Sequence, residues 1–171
     1  MAVRTILHYP EPLLKQVSAP VVQFDAALKQ LAEDMVETMY DAPGVGLAAP
    51  QVGELKRLIV MDCSGRDNPA DLIVAVNPEI TEKEGECYEE EGCLSVPEYY
   101  APVNRFNRVI MKYQDVDGHP QQREAEGLLA VAMQHEIDHL QGILFVDHLS
   151  PLKRSLFRKK YLKLLKQKEE E

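Results

Sequence analysis

Gln134-His135-Glu136-Ile137-Asp138-His139 places two histidines four residues apart with a glutamate directly after the first. Leu128, Leu129, Val131, Ala132 and Met133 lead into it without proline, and Gly142 stands where a C′ glycine ends a helix. On a helix, residues four apart share a face, so His135 and His139 can aim both imidazoles at one metal ion. Glu136 then lies beside the ion, where a carboxylate can handle the proton of a water molecule. The pattern predicts a metal hydrolase. The bland alternative is two solvent-facing histidines on an ordinary amphipathic helix.

Working outward, the 171 residues fit a single domain, 1–171, with a sizeable core. No run of about 18 apolar residues occurs, so no span crosses a bilayer. The opening residues lack the apolar stretch of a signal peptide. Three cysteines argue against a disulfide framework, and the cytoplasm is the expected compartment. Charge is uneven. Residues 1–149 hold 11 basic and 25 acidic side chains, whereas 150–168 hold eight basic and no acidic ones. That segment is predicted to be a basic helix with Ser150 as N-cap and Pro151 following, its apolar side formed by Leu152, Leu156 and Leu164. A cationic helix on an acidic body is a handle for an anionic partner, or simply a solvated face.

Asp25 reads as the N-cap of a helix carrying Leu28, Leu31, Ala32, Met35, Val36 and Met39, which stops near Ala42-Pro43-Gly44. Arg57–Asp62 and Asp71–Val76 read as buried strands joined by a turn over 64–70, the second ended by Asn77-Pro78. Val109–Gln114 is a strand leading through Asp117-Gly118 into a hairpin partner over 121–125. Gly44–Gly53 reads as a loop of small residues. Strands joined mostly by hairpins and interrupted by a few helices predict an α+β fold, with antiparallel sheets around the metal-binding helix.

Two histidines leave a metal site incomplete, since a catalytic site has three protein ligands and an open position. A third histidine six residues after His139 is absent, because position 145 is Phe145, and no suitable downstream glutamate exists. The remaining soft donors are Cys63, Cys87 and Cys93. Cys63 falls at a buried strand, and Cys87 lies in an acidic segment. Cys93 stands in Glu91-Gly92-Cys93-Leu94-Ser95-Val96-Pro97, where glycine allows close backbone approach and Pro97 ends the strand.

Gly44-x-Gly46-Leu47-Ala48-Ala49-x-Gln51, Glu91-Gly92-Cys93-Leu94-Ser95 and Gln134-His135-Glu136-x-Asp138-His139, in this order, resemble the three signature motifs of peptide deformylases. Ile6–Leu14 and Leu144–Pro151 are similar to the ends of that family, and the resemblance covers nearly the whole chain. It implies a hydrolase that removes formate from N-terminal formyl-methionine of nascent polypeptides. It implies Cys93, His135 and His139 as ligands of one divalent ion, Fe²⁺, replaceable by Zn²⁺, Ni²⁺ or Co²⁺. It implies Glu136 as the group that moves the water proton, Gln51 and the Leu94 N–H as oxyanion donors, and Gly46 as a backbone contact. Val45, Leu128, Val131 and Ala132 are the candidates for the methionine slot. Tyr100 departs from an arginine common in bacterial members, and Asp138 is expected to orient a ligand or to pair with Arg105, or else to lie solvated. The ribosome is the expected partner of helix 150–168; membranes and DNA are not expected partners. The rival readings are a zinc peptidase cutting internal bonds and a non-catalytic ribosome- or RNA-binding protein.

Overall fold

The computed structural model describes residues 2–65 and 67–170; Met1, Glu171 and Arg66, one position of the expected 64–70 turn, lie outside the described residues. Helix α1 spans Ala26–Asp41, and its N-cap Asp25 accepts a hydrogen bond from the Leu28 N–H at 3.0 Å, a contribution of about 1 kcal/mol. Strands β1 (Gly46–Ala48), β2 (Leu58–Met61), β3 (Ile73–Glu84), β4 (Cys87–Cys93), β5 (Val96–Arg105), β6 (Arg108–Gln114) and β7 (Pro120–Glu126) follow. Helix α2 is Gly127–Leu140, and helix α3 is Pro151–Glu169. All strand pairs are antiparallel. Five strands form one sheet in the order β1-β2-β3-β6-β7, and β4-β5 stands apart as a two-stranded ribbon inserted between β3 and β6. This is the expected α+β arrangement around the histidine helix.

The five-stranded sheet is covered on both faces. Ala48, Ile59, Met61, Ala75, Val109 and Met111 pack with Ala130, Met133 and Leu140 of α2. Leu47, Leu58, Val60 and Val76 pack with Leu28, Leu31, Met35 and Met39 of α1. Successive side chains of a strand point to opposite faces, so Leu-Ile-Val-Met of β2 is apolar at every position because both faces are buried. A third cluster lies under the ribbon, where Val96, Ala101 and Val103 meet Phe145, Val146, Phe157 and Tyr161.

Three local expectations are corrected. Asn77-Pro78 does not end the strand; β3 continues to Glu84. Asn77 takes φ +51, and the register with β6 shifts between Val76 and Glu79, so the proline falls in a bulge, where its missing N–H costs no ladder bond. Gly44–Gly53 is not a plain loop, because Gly46–Ala48 pairs with β2 and Ala49–Val52 forms a 3₁₀ turn. Pro97 does not end a strand either; it is the second residue of β5. A strand in a two-stranded ribbon has one unpaired edge that tolerates proline.

The α3 helix starts as expected, with the Ser150 hydroxyl accepting from the Lys153 N–H, but its buried face is different. Leu152 and Leu156 are exposed, while Phe157 and Tyr161 are buried against Tyr9 and Tyr99. Aromatic rings four residues apart cover more area than the leucines, and they turn that stripe inward. Among the described residues no helix is long and apolar enough to cross a membrane.

Helix α2 ends in a left-handed turn. The Gly142 N–H donates to the His139 carbonyl and the Ile143 N–H to the Asp138 carbonyl, the paired bonds of a Schellman cap. Gly142 has φ +75, and a Cβ there would stand 2.6 Å from the Lys15 carbonyl carbon, whereas Gly127 at φ +63 has open space around it. Gly142→Ala is therefore expected to destabilise the protein well beyond Gly127→Ala, which should cost about 1 kcal/mol from backbone strain alone. Urea unfolding of the two variants checks this; equal losses would contradict the assigned close contact.

Candidate metal centre

Cys93 ends β4, at an irregularity in the ribbon between Glu91 and Cys93. A bulge re-aims side chains, and here both Glu91 and Cys93 face α2. One donor atom each from Cys93, His135 and His139 lies within 4.8 Å of the other two. The Cys93 Sγ is 3.4 Å from His139 Nε2. The expected three residues are thus brought together, while Cys63 and Cys87 stand elsewhere. Burial pushes the Cys63 thiol up to about 11.

His135 and His139 are 8% and 0% exposed. The His135 Nδ1 lies 2.9 Å from Glu91 Oε1, which leaves Nε2 as its free nitrogen. Burial, then the neighbouring His135 charge, holds His139 well below the ordinary imidazole range, so it is neutral, the form that binds metal. One thiol and two imidazoles converging on a buried point, open on the cleft side, suit a divalent transition ion.

Glu136 is 5% exposed, and its Oε2 has no hydrogen-bond partner among the described residues. Burial pushes this carboxyl up to about 7. The chain at Gly46 comes so close that a Cβ there would lie 2.7 Å from Glu136 Oε1, which explains the glycine. Gln51 is fixed at both ends of its amide. Its Oε1 accepts from the Ala48 N–H at 2.9 Å, and its Nε2 donates to Ser95 Oγ at 3.0 Å, with Cys93 Sγ 3.6 Å away. The N-terminal segment laces both loops together: the Leu7 N–H donates to the Gln51 carbonyl, and the Tyr9 N–H to the Ser95 carbonyl.

A cleft of about 450 Å³ opens on this cluster. Val45, Gly46, Gln51, Leu94, Val131, Ala132 and Glu136 line it, with Leu128 and Tyr100 also on its wall. Val131 and Ala132 are buried, whereas Val45 and Leu128 are about half exposed and stand at the mouth. All residues expected from the sequence therefore share one cavity or the cluster at its end.

Of the support beneath the site, the sequence signals only the Asp138–Arg105 pair. Arg105, 7% exposed, donates from Nε and Nη2 to the two Glu91 oxygens, each at 2.9 Å. Its Nη1 donates to Asp138 Oδ2 at 2.6 Å, and His148 Nε2 lies 2.8 Å from the same oxygen. Of the expectations for Asp138, pairing with Arg105 is the one observed. Burial alone would raise the Glu91 carboxyl, but His135 and Arg105 outweigh it and hold it at about 2. Glu91 and Ser95 carry no spacing signal; only their position beside Cys93 in the motif could have marked them.

Paired imidazoles and a thiol beside a buried carboxylate, at the end of an apolar cleft in an α+β fold, define a metal-dependent hydrolase. A family model described as polypeptide deformylase matches residues 3–155. The peptide deformylase of Mesorhizobium japonicum is 52% identical over 98% of this chain and 96% of its own length. A crystal structure of a peptide deformylase from Legionella pneumophila superposes with a TM-score of 0.91 at 49% identity, covering 99% of each chain. One from Ehrlichia chaffeensis, in complex with actinonin, gives 0.88 at 37% identity over 95% of this chain and 98% of that one. The chain belongs to the peptide deformylase family. It is a metalloenzyme that hydrolyses the formyl group from the N-terminal formyl-methionine of nascent polypeptides.

Removing Arg105 would leave Glu91 charged, buried and without its bidentate partner. Arg105→Ala is expected to cost about 3–5 kcal/mol of stability, and Arg105→Lys to recover little, because an ammonium cannot match the fork. Denaturant melts of both variants test this; a loss below about 1 kcal/mol for the alanine would contradict it.

Proposed function

We propose that Cys93, His135 and His139 hold one divalent ion and that Glu136 and Gln51 carry out deformylation beside it. Fe²⁺ is the proposed resident ion, in keeping with the family resemblance; Zn²⁺, Ni²⁺ or Co²⁺ suit the same donors. When bound, the ion supplies Lewis acidity, which lowers the pKa of water and polarises the formyl carbonyl.

The observation that carries the reading is the buried, unpartnered Glu136 oxygen beside the three converging donors. A carboxyl held near neutrality can take a proton from water and later return it to the departing amine. Gln51 donates to Ser95 Oγ and, at 3.6 Å, toward Cys93 Sγ; the hydrogen on the thiol side is the one placed to meet an oxyanion together with the Leu94 backbone N–H. Gly46 brings a bare backbone to the reacting group. The methionine side chain lies along Val45, Leu128, Val131 and Ala132, an apolar surface that suits an unbranched thioether. A formyl carbon carries only hydrogen, so a close-packed wall beside the donors excludes bulkier acyl groups.

The enzyme is proposed to work in the cytoplasm at the ribosome, docked through the basic residues of 150–168. Support comes from the exposure of Lys159, Lys160, Lys163 and Lys166, while Phe157 and Tyr161 hold the helix to the body. A peptidase acting on internal bonds is disfavoured by the absence of a third histidine or glutamate ligand downstream of His139.

Glu136→Gln is expected to retain stoichiometric metal and to lose at least about 10²-fold in kcat on formyl-Met-Ala, because the amide cannot accept a proton. Near wild-type formate release would overturn the assigned role. Replacing Lys159, Lys160, Lys163 and Lys166 together by Gln is expected to weaken ribosome co-sedimentation at low salt by roughly tenfold or more, leaving turnover of short peptides intact. Equal co-sedimentation would mean that the charge is only a solvated face. Neutralisation tests this better than truncation, because cutting after Leu149 would also strip Phe157 and Tyr161 from the core.

A further inference from the structure

The mouth of the cleft is strongly acidic. Glu89, Glu90 and Glu98 line it beside the ring of Tyr100, which is 64% exposed. Among the described residues no lysine or arginine lines it. Glu91, the third carboxylate of the run, is committed to Arg105 and His135. Across the ribbon, Glu89 faces Val103 and Glu90 faces Pro102, so neither meets a cation from the neighbouring strand. Glu98 is held at φ +66, a left-handed conformation unusual for glutamate. It pairs with Lys168 from the last turn of α3, at 3.3 Å and with both side chains more than half exposed. The inner end of the same cleft carries the buried, unpartnered Glu136 oxygen, so rim and reacting centre belong to one channel.

We propose that Glu89, Glu90 and Glu98 are specificity-determining residues that favour formyl-methionyl chains with lysine or arginine just after the methionine, and disfavour chains with acidic residues there. The inference rests on the deformylase reading. With methionine against Val45, Leu128, Val131 and Ala132, the next residues must leave across this rim. Glu89 and Glu90, which make no ion pair among the described residues, and Glu98, partly offset by Lys168, concentrate cationic side chains and repel anionic ones, and the open face of Tyr100 offers a cation a further contact. Because the rim is solvated, its effect is on encounter and binding, so it acts on KM and fades with salt. Lys168 offsets Glu98, which makes the end of α3 a brake on this selectivity.

The test compares formyl-Met-Lys-Ser, formyl-Met-Ala-Ser and formyl-Met-Glu-Ser on the full-length metal-loaded enzyme. The lysine peptide is expected to exceed the glutamate peptide in kcat/KM by roughly tenfold at low salt, through KM, with the ratio collapsing toward one at about 1 M salt. Glu89→Gln with Glu90→Gln should shrink the low-salt ratio at least threefold, and Lys168→Ala should enlarge it. Equal kcat/KM for the three peptides, a ratio insensitive to salt, or a ratio unchanged in the double variant would each overturn the proposal. Failure to turn over any of the three would overturn the deformylase reading, and this inference with it.

Discussion

The site depends on one buried carboxylate. Glu91 takes two N–H groups of Arg105 on one side and faces His135 Nδ1 on the other. It belongs to the β4-β5 ribbon that ends in Cys93, while His135 and His139 belong to α2, which packs on the other sheet. Glu91 through His135, and Arg105 through Asp138, therefore tie the ribbon to α2, the two elements whose donors converge. A buried ion pair is favourable only when its remaining polar atoms are satisfied. Here Asp138 takes the third guanidinium contact and His148 closes the chain, so the network is complete and rigid.

The rest of the fold presses the same point from other sides. Helix α2 can be buried along most of its length because Ala130, Ala132 and Met133 present small or adaptable surfaces to the five-stranded sheet. Phe145 stacks on His135, with ring centroids 6.1 Å apart, and Tyr99 and Phe157 continue that aromatic contact outward to α3. The N-terminal segment binds the Gln51 and Ser95 backbones, so the Gln51 side and the Cys93 side of the cleft are held by one strap. Function at this centre is thus a property of packing across three clusters rather than of one motif.

The sequence exposes what is local. The four-residue histidine spacing, the Asp25 cap, the Gly142 stop and the β2 run are all short-range patterns, and each appears where it was expected. Partners distant along the chain left no such trace. Glu91 is one of three consecutive glutamates, and only its place two residues before Cys93 separates it from Glu89 and Glu90. Its partner Arg105 is 14 residues away across a ribbon that was not foreseen. Asn77-Pro78 does not stop β3 because proline punctuation is a local rule, whereas a bulge is set by the pairing strand. The buried face of α3 departs from its leucine pattern for a related reason. Leu152 and Leu156 fit a helical stripe, but the groove formed by Tyr9, Tyr99 and Phe145 selects the aromatic pair instead.

The chain thus couples a buried, neutralised centre to an acidic mouth and a cationic tail, three electrostatic regimes within one domain. The centre is the decisive part, and X-ray absorption at the metal edge of the zinc-substituted enzyme reads it directly. One sulfur at about 2.3 Å and two imidazole nitrogens at about 2.0–2.1 Å are the expected protein shell. A shell without sulfur, or with more than one, would contradict the assignment of Cys93, His135 and His139 as the ligand set.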